Sequence, residues 1–242
     1  DVVFLVHALG SPPSPRRLER ELVLAFDSGA DPVVVLTKTD LVADPEPGRD
    51  ALADVALGVP VLLASGVTGA GIAEIGRYSE GNRTLTFLGA SGVGKSTLVN
   101  ALLGSDRMAT SAVREGDQRG RHTTVAAQLL PLPGEGWLID TPGVRAVSLW
   151  LSGNGIERAF ADVFDLMDHC RFRDCKHDQE PGCAVQAAIA DGSLDPIRLE
   201  SLERLIEEEA ALEEEQRAHE KAADRRAGGR TRPPEESEFD DL

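Results

Sequence analysis

The stretch "LTFLGASGVGKSTLVNALLG", residues 85–104, sets the fold. An apolar run leads into a glycine-rich turn and then into an amphipathic run, the succession strand, loop, helix. The turn matches G-x-x-x-x-G-K-[S/T] through Gly89, Gly94, Lys95 and Ser96, with Ser91, Gly92, Val93 and Thr97 completing it. Glycine here lets backbone N–H groups converge on phosphate oxygens, and the helix opening at Lys95 turns its positive end toward them. Lys95 is expected to reach the β- and γ-phosphates and Ser96 to hold Mg²⁺. A chance turn would not be bracketed by an apolar strand and by Leu98, Ala101 and Leu102 at helical spacing.

Downstream, "WLIDTPGV" (137–144) reads as a second strand ending in an acid. Asp140 is expected to hold Mg²⁺ through water, and the N–H of Gly143 to sense the γ-phosphate. Between the two elements lies "GRHTTVAAQL" (120–129), where Thr123 or Thr124 is the candidate switch threonine for Mg²⁺. Thr124 is the choice carried forward; either residue also suits the opening of a strand.

Upstream, "VVVLTKTDLV" (33–42) ends an apolar strand in Thr37-Lys38-Thr39-Asp40. The Asp40 carboxylate can accept hydrogen bonds from guanine N1–H and its exocyclic amine. Adenine offers neither donor, so the mismatch would leave the carboxylate desolvated, at a cost of several kcal/mol. The stem of Lys38 suits the base and ribose. "VLLASGVTGAGI" (61–72) repeats the pattern, and its Ser65-Gly66 backbone can approach the guanine oxygen. Both base loops thus precede the phosphate loop, which an ordinary GTPase carries first. The parts are present in rotated order, a circular permutation that closely placed termini permit.

Strand candidates at 2–7, 33–37, 60–64 and 83–88 alternate with helical patterns at 15–27, 49–57 and 70–78, implying βαβ units and a parallel sheet. "VAAQLLPL" (125–132) and "GWLID" (136–140), joined by the turn "PLPGEG", predict an antiparallel hairpin and a mixed sheet of about six strands. The fold class is therefore α/β, with residues 1–150 as a permuted P-loop GTPase domain. Residues 151–224 are expected to form a small helical metal-binding domain, with a long helix from Asp195-Pro196 to about 224. The tail 225–242, rich in Gly, Pro and charge, is expected to be disordered.

The 242 residues are 41% hydrophobic with 4% aromatics, enough for a core. No apolar run reaches a membrane span of about 18–20 residues. "DVVFLVHALGSPPSP" does not read as a leader, and the cytoplasm is the expected location. A net charge of −16 argues against broad nucleic-acid binding, but "VREGDQRGRH" (113–122) and "CRFRDCKH" (170–177) are locally basic against the acidic "LESLERLIEEEAALEEEQ" (199–216).

All three cysteines fall in Cys170-x4-Cys175-x-His177-x5-Cys183. An odd count without a secretory leader argues for metal over disulfides. Three thiolates and an imidazole suit a closed, tetrahedral, structural Zn²⁺ site contributing on the order of 10 kcal/mol to folding. His169 is a rival ligand made awkward by its adjacency to Cys170. His7 and His219 belong to no constellation and read as ordinary surface or core residues.

Taken with "TKTD", "GASGVGKST", "GRHTT", "DTPG" and "CRFRDCKHDQEPGCAV", the chain over about residues 1–205 resembles the circularly permuted ribosome small-subunit-dependent GTPase A family. The resemblance implies GTP hydrolysis stimulated by the small (30S) ribosomal subunit, a role in its late maturation, rRNA contact, and an OB-fold ahead of residue 1. Arg171, Arg173 and Lys176 are candidate rRNA contacts or a solvated face. Thr37 stands where the family carries a phosphate-loop-bracing Asn, which puts affinity in question. Val144 replaces a water-orienting Gln, so the isolated protein is expected to be slow. His122 is the family's candidate for positioning water, with an RNA or phosphate contact as the other reading. Function from a different class would be an RNA-binding adaptor with a scaffold GTPase fold, or a permuted GTPase of large-subunit assembly. A monomer binding GTP or GDP, away from membranes, is expected.

Overall fold

The computed structural model describes residues 1–10, 14–105, 128–140 and 154–228, without the side chains of Asp140 and 223–228. Its first half reads β1 (Val2–Ala8), α1 (Pro15–Asp27), β2 (Asp31–Thr37), a 3₁₀ turn (Thr39–Leu41), α2 (Glu46–Ala56), β3 (Val61–Leu63), α3 (Ile72–Arg77), β4 (Thr84–Gly89) and α4 (Lys95–Leu103). β5 (Gln128–Pro131) and β6 (Trp137–Asp140) follow, then α5 (Asn154–Ala159), α6 (Ala161–Met167), α7 (Ala184–Asp191) and α8 (Pro196–Gly228).

The six described strands form one sheet in the order β3-β2-β1-β4-β6-β5. All neighbours are parallel except the β5–β6 hairpin, as the alternation of strand and helix requires. β1 and β2 are nearly continuous in apolar residues because both their faces are covered. On one face Leu5, Val34 and Leu36 meet Leu18 and Leu22 of α1 and Leu52 of α2. On the other Phe4, Val6, Val33 and Val35 meet Ile75 of α3 and Leu98 and Val99 of α4.

From β1 the chain steps outward to β2 and β3, then returns to lay β4 on the opposite side of β1. That reversal opens a crevice at the carboxyl ends of β1 and β4, the usual place for a ligand in such sheets. Register keeps the ends level: Ala8 lies beside Thr37, Val6 beside Gly89 and Leu36 beside Leu63.

Elements match the sequence reading closely, with shifts at the ends. α2 begins at Glu46 rather than 49, because Asp44 Oδ1 accepts from the Glu46 N–H at 3.0 Å and starts the chain turning ahead of the first apolar position. α3 covers 72–77 rather than 70–78, since Gly69 and Gly71 hold left-handed turns before it. α8 continues to Gly228, four residues into the stretch expected to be disordered; 229–242 and 125–127 lie outside the described residues.

The helices after residue 154 pack on α1. Ile156, Phe160, Val163, Val185, Leu199 and Leu202 join one apolar cluster with Leu18, Leu22 and Val23. Gly155 permits the closest approach, since a Cβ there would sit 2.4 Å from the Val23 carbonyl oxygen. Its N–H donates to Asp27 Oδ1 at 2.7 Å. Arg198 of α8 is the polar link: it donates to Glu19 of α1 at 2.8 Å, to Asp162 of α6 at 2.9 Å, and to the Ala159 carbonyl at 2.6 Å. Its guanidinium lies 4.3 Å over the Phe160 ring. Burial opposes the charge, but the carboxylates of Asp162 and Glu19 outweigh it and leave the Arg198 pKa raised.

Candidate nucleotide site and metal centre

At the end of β4 the chain must turn within contact of β1. A Cβ at Gly89 would meet the Val6 carbonyl oxygen at 2.4 Å, so only glycine fits. Gly94, at φ 104°, then starts α4, leaving the first N–H groups of that helix directed into the crevice. Lys95 Nζ donates to the carbonyls of Gly89 at 2.8 Å and Ala90 at 2.7 Å, folding across its own loop. Half-burial holds its pKa below the ordinary lysine value, with the Arg17 charge adding to the effect and Glu21 opposing it. Ser91 and Gly92 are exposed, whereas Val93, Ser96 and Thr97 are half-buried.

The loop after β2 is aimed by Lys38, held left-handed at φ 61°, which turns Asp40 back toward the sheet edge. Ser65, fully buried beyond β3, donates its hydroxyl to Asp40 Oδ1 at 2.5 Å while accepting from the N–H groups of Val67 and Thr68 at 3.3 and 3.1 Å. One carboxylate oxygen is thereby fixed.

Two contacts bind these loops to the phosphate loop. The Thr37 hydroxyl reaches the Val93 carbonyl and, at 3.2 Å, the His7 carbonyl; its single proton serves one of them at a time. Thr37 thus ties the end of β2 to the phosphate loop. The backbone at Gly66 lies so near α4 that a Cβ would stand 2.8 Å from the Thr97 carbonyl carbon. Thr37, Ser65, Gly66, Gly89, Val93, Gly94 and Lys95 therefore share one crevice, with Asp40 anchored at its rim. Asp140 ends β6, one strand beyond β4. His122, Thr123, Thr124, Gly143 and Val144 lie outside the described residues.

The sulfur cluster is local. Cys170 follows α6, Cys175 and His177 sit in the next loop, and Cys183 caps α7, its sulfur accepting from the Gln186 N–H at 3.4 Å. Cys170 and Cys183 sulfurs are 3.9 Å apart, and His177 Nδ1 is 3.6 Å from each. All four ligand atoms lie within 4.8 Å of one another. A tetrahedral zinc with ordinary bond lengths would space sulfurs about 3.8 Å apart and sulfur from nitrogen about 3.6 Å, so this donor set fits a metal ion. The amides of Ala184 and Val185 at the start of α7 overcome the burial penalty and lower the Cys170 pKa. Burial, with the neighbouring sulfurs, pushes the Cys175 thiol up to about 11. A cation joining these sulfurs would favour their thiolate forms. Outside the ligands, Gln186 Nε2 donates to the His177 carbonyl at 2.5 Å. Glu180 accepts from the N–H groups of Lys176 and Asp178 at 2.9 and 3.0 Å, which lowers its pKa. His169 bonds instead through Nδ1 to the Asp165 carbonyl at 2.7 Å. Arg171, Arg173 and Lys176 are exposed around this centre.

His7, which carried no expectation beyond an ordinary residue, is buried, and its Nε2 lies 2.9 Å from Glu21 Oε2. Nor did the sequence point to Arg198. Its partners Glu19 and Asp162 are 179 and 36 residues away, and no short motif spans such gaps.

A phosphate-loop crevice closed by two base-loop candidates that precede it in sequence defines a nucleotide-binding protein of permuted order. The family model for the RsgA GTPase matches residues 1–150, and the chain belongs to that family. It is 45% identical over 208 residues to small ribosomal subunit biogenesis GTPase RsgA 2 of Lactiplantibacillus plantarum, spanning 86% of this chain and 58% of that protein. Against the RsgA of Streptomyces coelicolor it is 51% identical over 195 residues, spanning 79% and 53%. The chain thus spans a little over half the length of these curated relatives. The crystal structure of YjeQ from Thermotoga maritima superposes with a TM-score of 0.64 at 30% identity, covering 86% of this chain and 70% of that one. That of YloQ, described as a circularly permuted GTPase, gives 0.62 at 26%, covering 86% and 67%.

Proposed function

We propose that this chain is the catalytic part of a small-subunit assembly GTPase: it binds GTP with Mg²⁺, hydrolyses it slowly alone, and is accelerated by the small ribosomal subunit. The reading assigns 1–150 to nucleotide chemistry and 151–224 to a zinc module that meets rRNA through Arg171, Arg173 and Lys176. Asp40 and Lys38 select guanine, Ser65 and Gly66 close on its oxygen, and Lys95 with the loop amides holds the phosphates. Ser96, Asp140 and Thr124 would hold Mg²⁺, which supplies charge neutralisation between the β- and γ-phosphates. His122 would position the water, with Gly143 sensing the γ-phosphate. Cys170, Cys175, His177 and Cys183 would hold zinc. The protein acts as a monomer in the cytoplasm; among the described residues no helix is long and apolar enough to cross a membrane.

What carries this reading is the joining of the two loop systems through Thr37 to Val93 and Gly66 to Thr97. Its test is phosphate release from GTP, with ATP as control, with and without purified small subunits. Expected is turnover well below roughly 1 s⁻¹ alone, a rise with small but not large subunits, and little reaction with ATP. Equal hydrolysis of ATP, or no response to small subunits, would overturn it.

A further inference from the structure

The groove between α1 and α8 is lined by no residue of the nucleotide crevice or of the metal centre. Its volume is about 340 Å³, toward the lower end of small-ligand sites and enough for one sugar–phosphate unit. Arg16, Arg17 and Arg20 of α1 and Arg204 of α8 line it, together with Glu19 and Glu208. Four guanidinium groups against two carboxylates leave a surplus of two positive charges, in a chain whose net charge is −16. Both carboxylates are already engaged, Glu19 with Arg198 at 2.8 Å and Glu208 with Arg20. The helix itself adds to the positive side: α1 opens on the groove at Ser14, whose side chain caps nothing, and its first turn carries no acid.

Two of the arginines have donors to spare. Arg17 is held by its inner nitrogen, Nε donating to Glu21 Oε1 at 2.8 Å, and among the described residues nothing takes its two outer nitrogens. Arg204 is exposed and has no ion-pair or hydrogen-bond partner among the described residues. A guanidinium with an unused edge presents parallel N–H donors to phosphate oxygens. The floor of the groove is unsatisfied as well. Ser201, one turn before Arg204, is 4% exposed, and its hydroxyl has no hydrogen-bond partner among the described residues; nor has Oε2 of Glu19. Buried polar groups are otherwise paired. A ligand that suits both the arginines and this floor brings phosphate oxygens for the first and a hydroxyl for the second, to donate to Glu19 or to exchange a bond with Ser201. Ribose–phosphate carries both groups, whereas the DNA backbone lacks the hydroxyl.

We propose that the α1–α8 groove binds the sugar–phosphate backbone of RNA, with Arg17 and Arg204 taking phosphate oxygens and Ser201 with Glu19 reading a ribose 2′-hydroxyl. This rests on the rRNA-contacting reading above. It adds a second contact surface to Arg171, Arg173 and Lys176, and it gives the first turns of the otherwise acidic α8 a ligand.

The experiment measures, by fluorescence anisotropy on the whole chain, dissociation constants for a labelled RNA hairpin and for the DNA hairpin of the same sequence across a salt series. The double variant Arg17→Ala/Arg204→Ala is expected to weaken RNA about tenfold, the worth of one charge-assisted hydrogen bond, and to reduce the salt slope by about 1. Ser201→Ala should weaken RNA about fivefold while leaving DNA within about twofold. Polyglutamate of matched charge should displace the labelled RNA less readily than unlabelled RNA does. Arg17 is 44% exposed and Ser201→Ala removes an unpaired hydroxyl, so the variants should melt with the unaltered chain or above it. Arg204→Ala alone removes no contact among the described residues and should weaken RNA about threefold, which keeps the test decisive if the double variant is destabilised. Unchanged RNA binding and salt slope in the arginine variants, the same RNA-to-DNA ratio in Ser201→Ala, or equal displacement by polyglutamate overturns the inference. The rRNA reading survives that outcome if Arg171→Ala/Arg173→Ala weakens RNA. An unaltered chain that binds no RNA overturns both.

Discussion

The two candidate sites are built in opposite ways. The nucleotide crevice draws on Thr37, Ser65, Gly89 and Lys95, brought level by the register of four parallel strands. The metal centre takes its four ligands from fourteen consecutive residues and needs no sheet. One depends on the whole core, with Thr37 and Lys95 satisfying the loop carbonyls from within. The other is local, and an ion joining its four donors would supply the binding energy that the core supplies to the first. The first site is assembled by the fold, whereas the second is assembled by neighbours in sequence.

Metal removal should separate the two most sharply. Chelation, or Cys183→Ser, is expected to remove on the order of 10 kcal/mol of binding energy from the module. Hydrogen exchange should rise across 161–191 while amides of β1, β2 and β4 stay protected; simultaneous exchange of both regions would refute the contrast. Next in size, Arg198→Ala leaves Glu19 buried and unpaired, at an expected cost of roughly 3–5 kcal/mol. Urea denaturation should register it, and a change under about 1 kcal/mol would mean that the α1–α8 link contributes little. Asp40→Asn should weaken GTP about a hundredfold and improve xanthosine triphosphate, leaving the melting curve alone. Guanine affinity surviving in that variant would remove Asp40 from the base site. Smallest, Thr37→Val deletes the brace to Val93 and should cost about 0.5–1.5 kcal/mol, read as a severalfold faster release of nucleotide. Thr37→Asn should restore it.

Legibility in the sequence followed the same division. Periodicity exposed every described strand and the hairpin, because strands covered on both faces are nearly unbroken in Val, Ile and Leu. The Cys170, Cys175, His177 and Cys183 cluster was visible from spacing alone. The phosphate loop was visible from its glycines: Gly89 is set by close approach to Val6, and Gly92 and Gly94 by left-handed φ angles of 78° and 104°. Helix starts shifted where a side chain such as Asp44 seeds a turn that carries no apolar signal. His7, Glu19, Glu21 and Arg198 stayed hidden as a group. Each looks like a common surface residue, and only tertiary packing pairs them.

Helix α1 has a share in both halves. Along three turns it offers Glu21 to His7 of β1, Glu19 to Arg198, and Leu18, Leu22 and Val23 to the apolar cluster of α5–α8. The seam near residue 150 is therefore no place to divide the polypeptide. A shortened version stopping there would bare an oily flank that α5, α7 and α8 now shield, and it should clump during expression even though every nucleotide-facing loop were present.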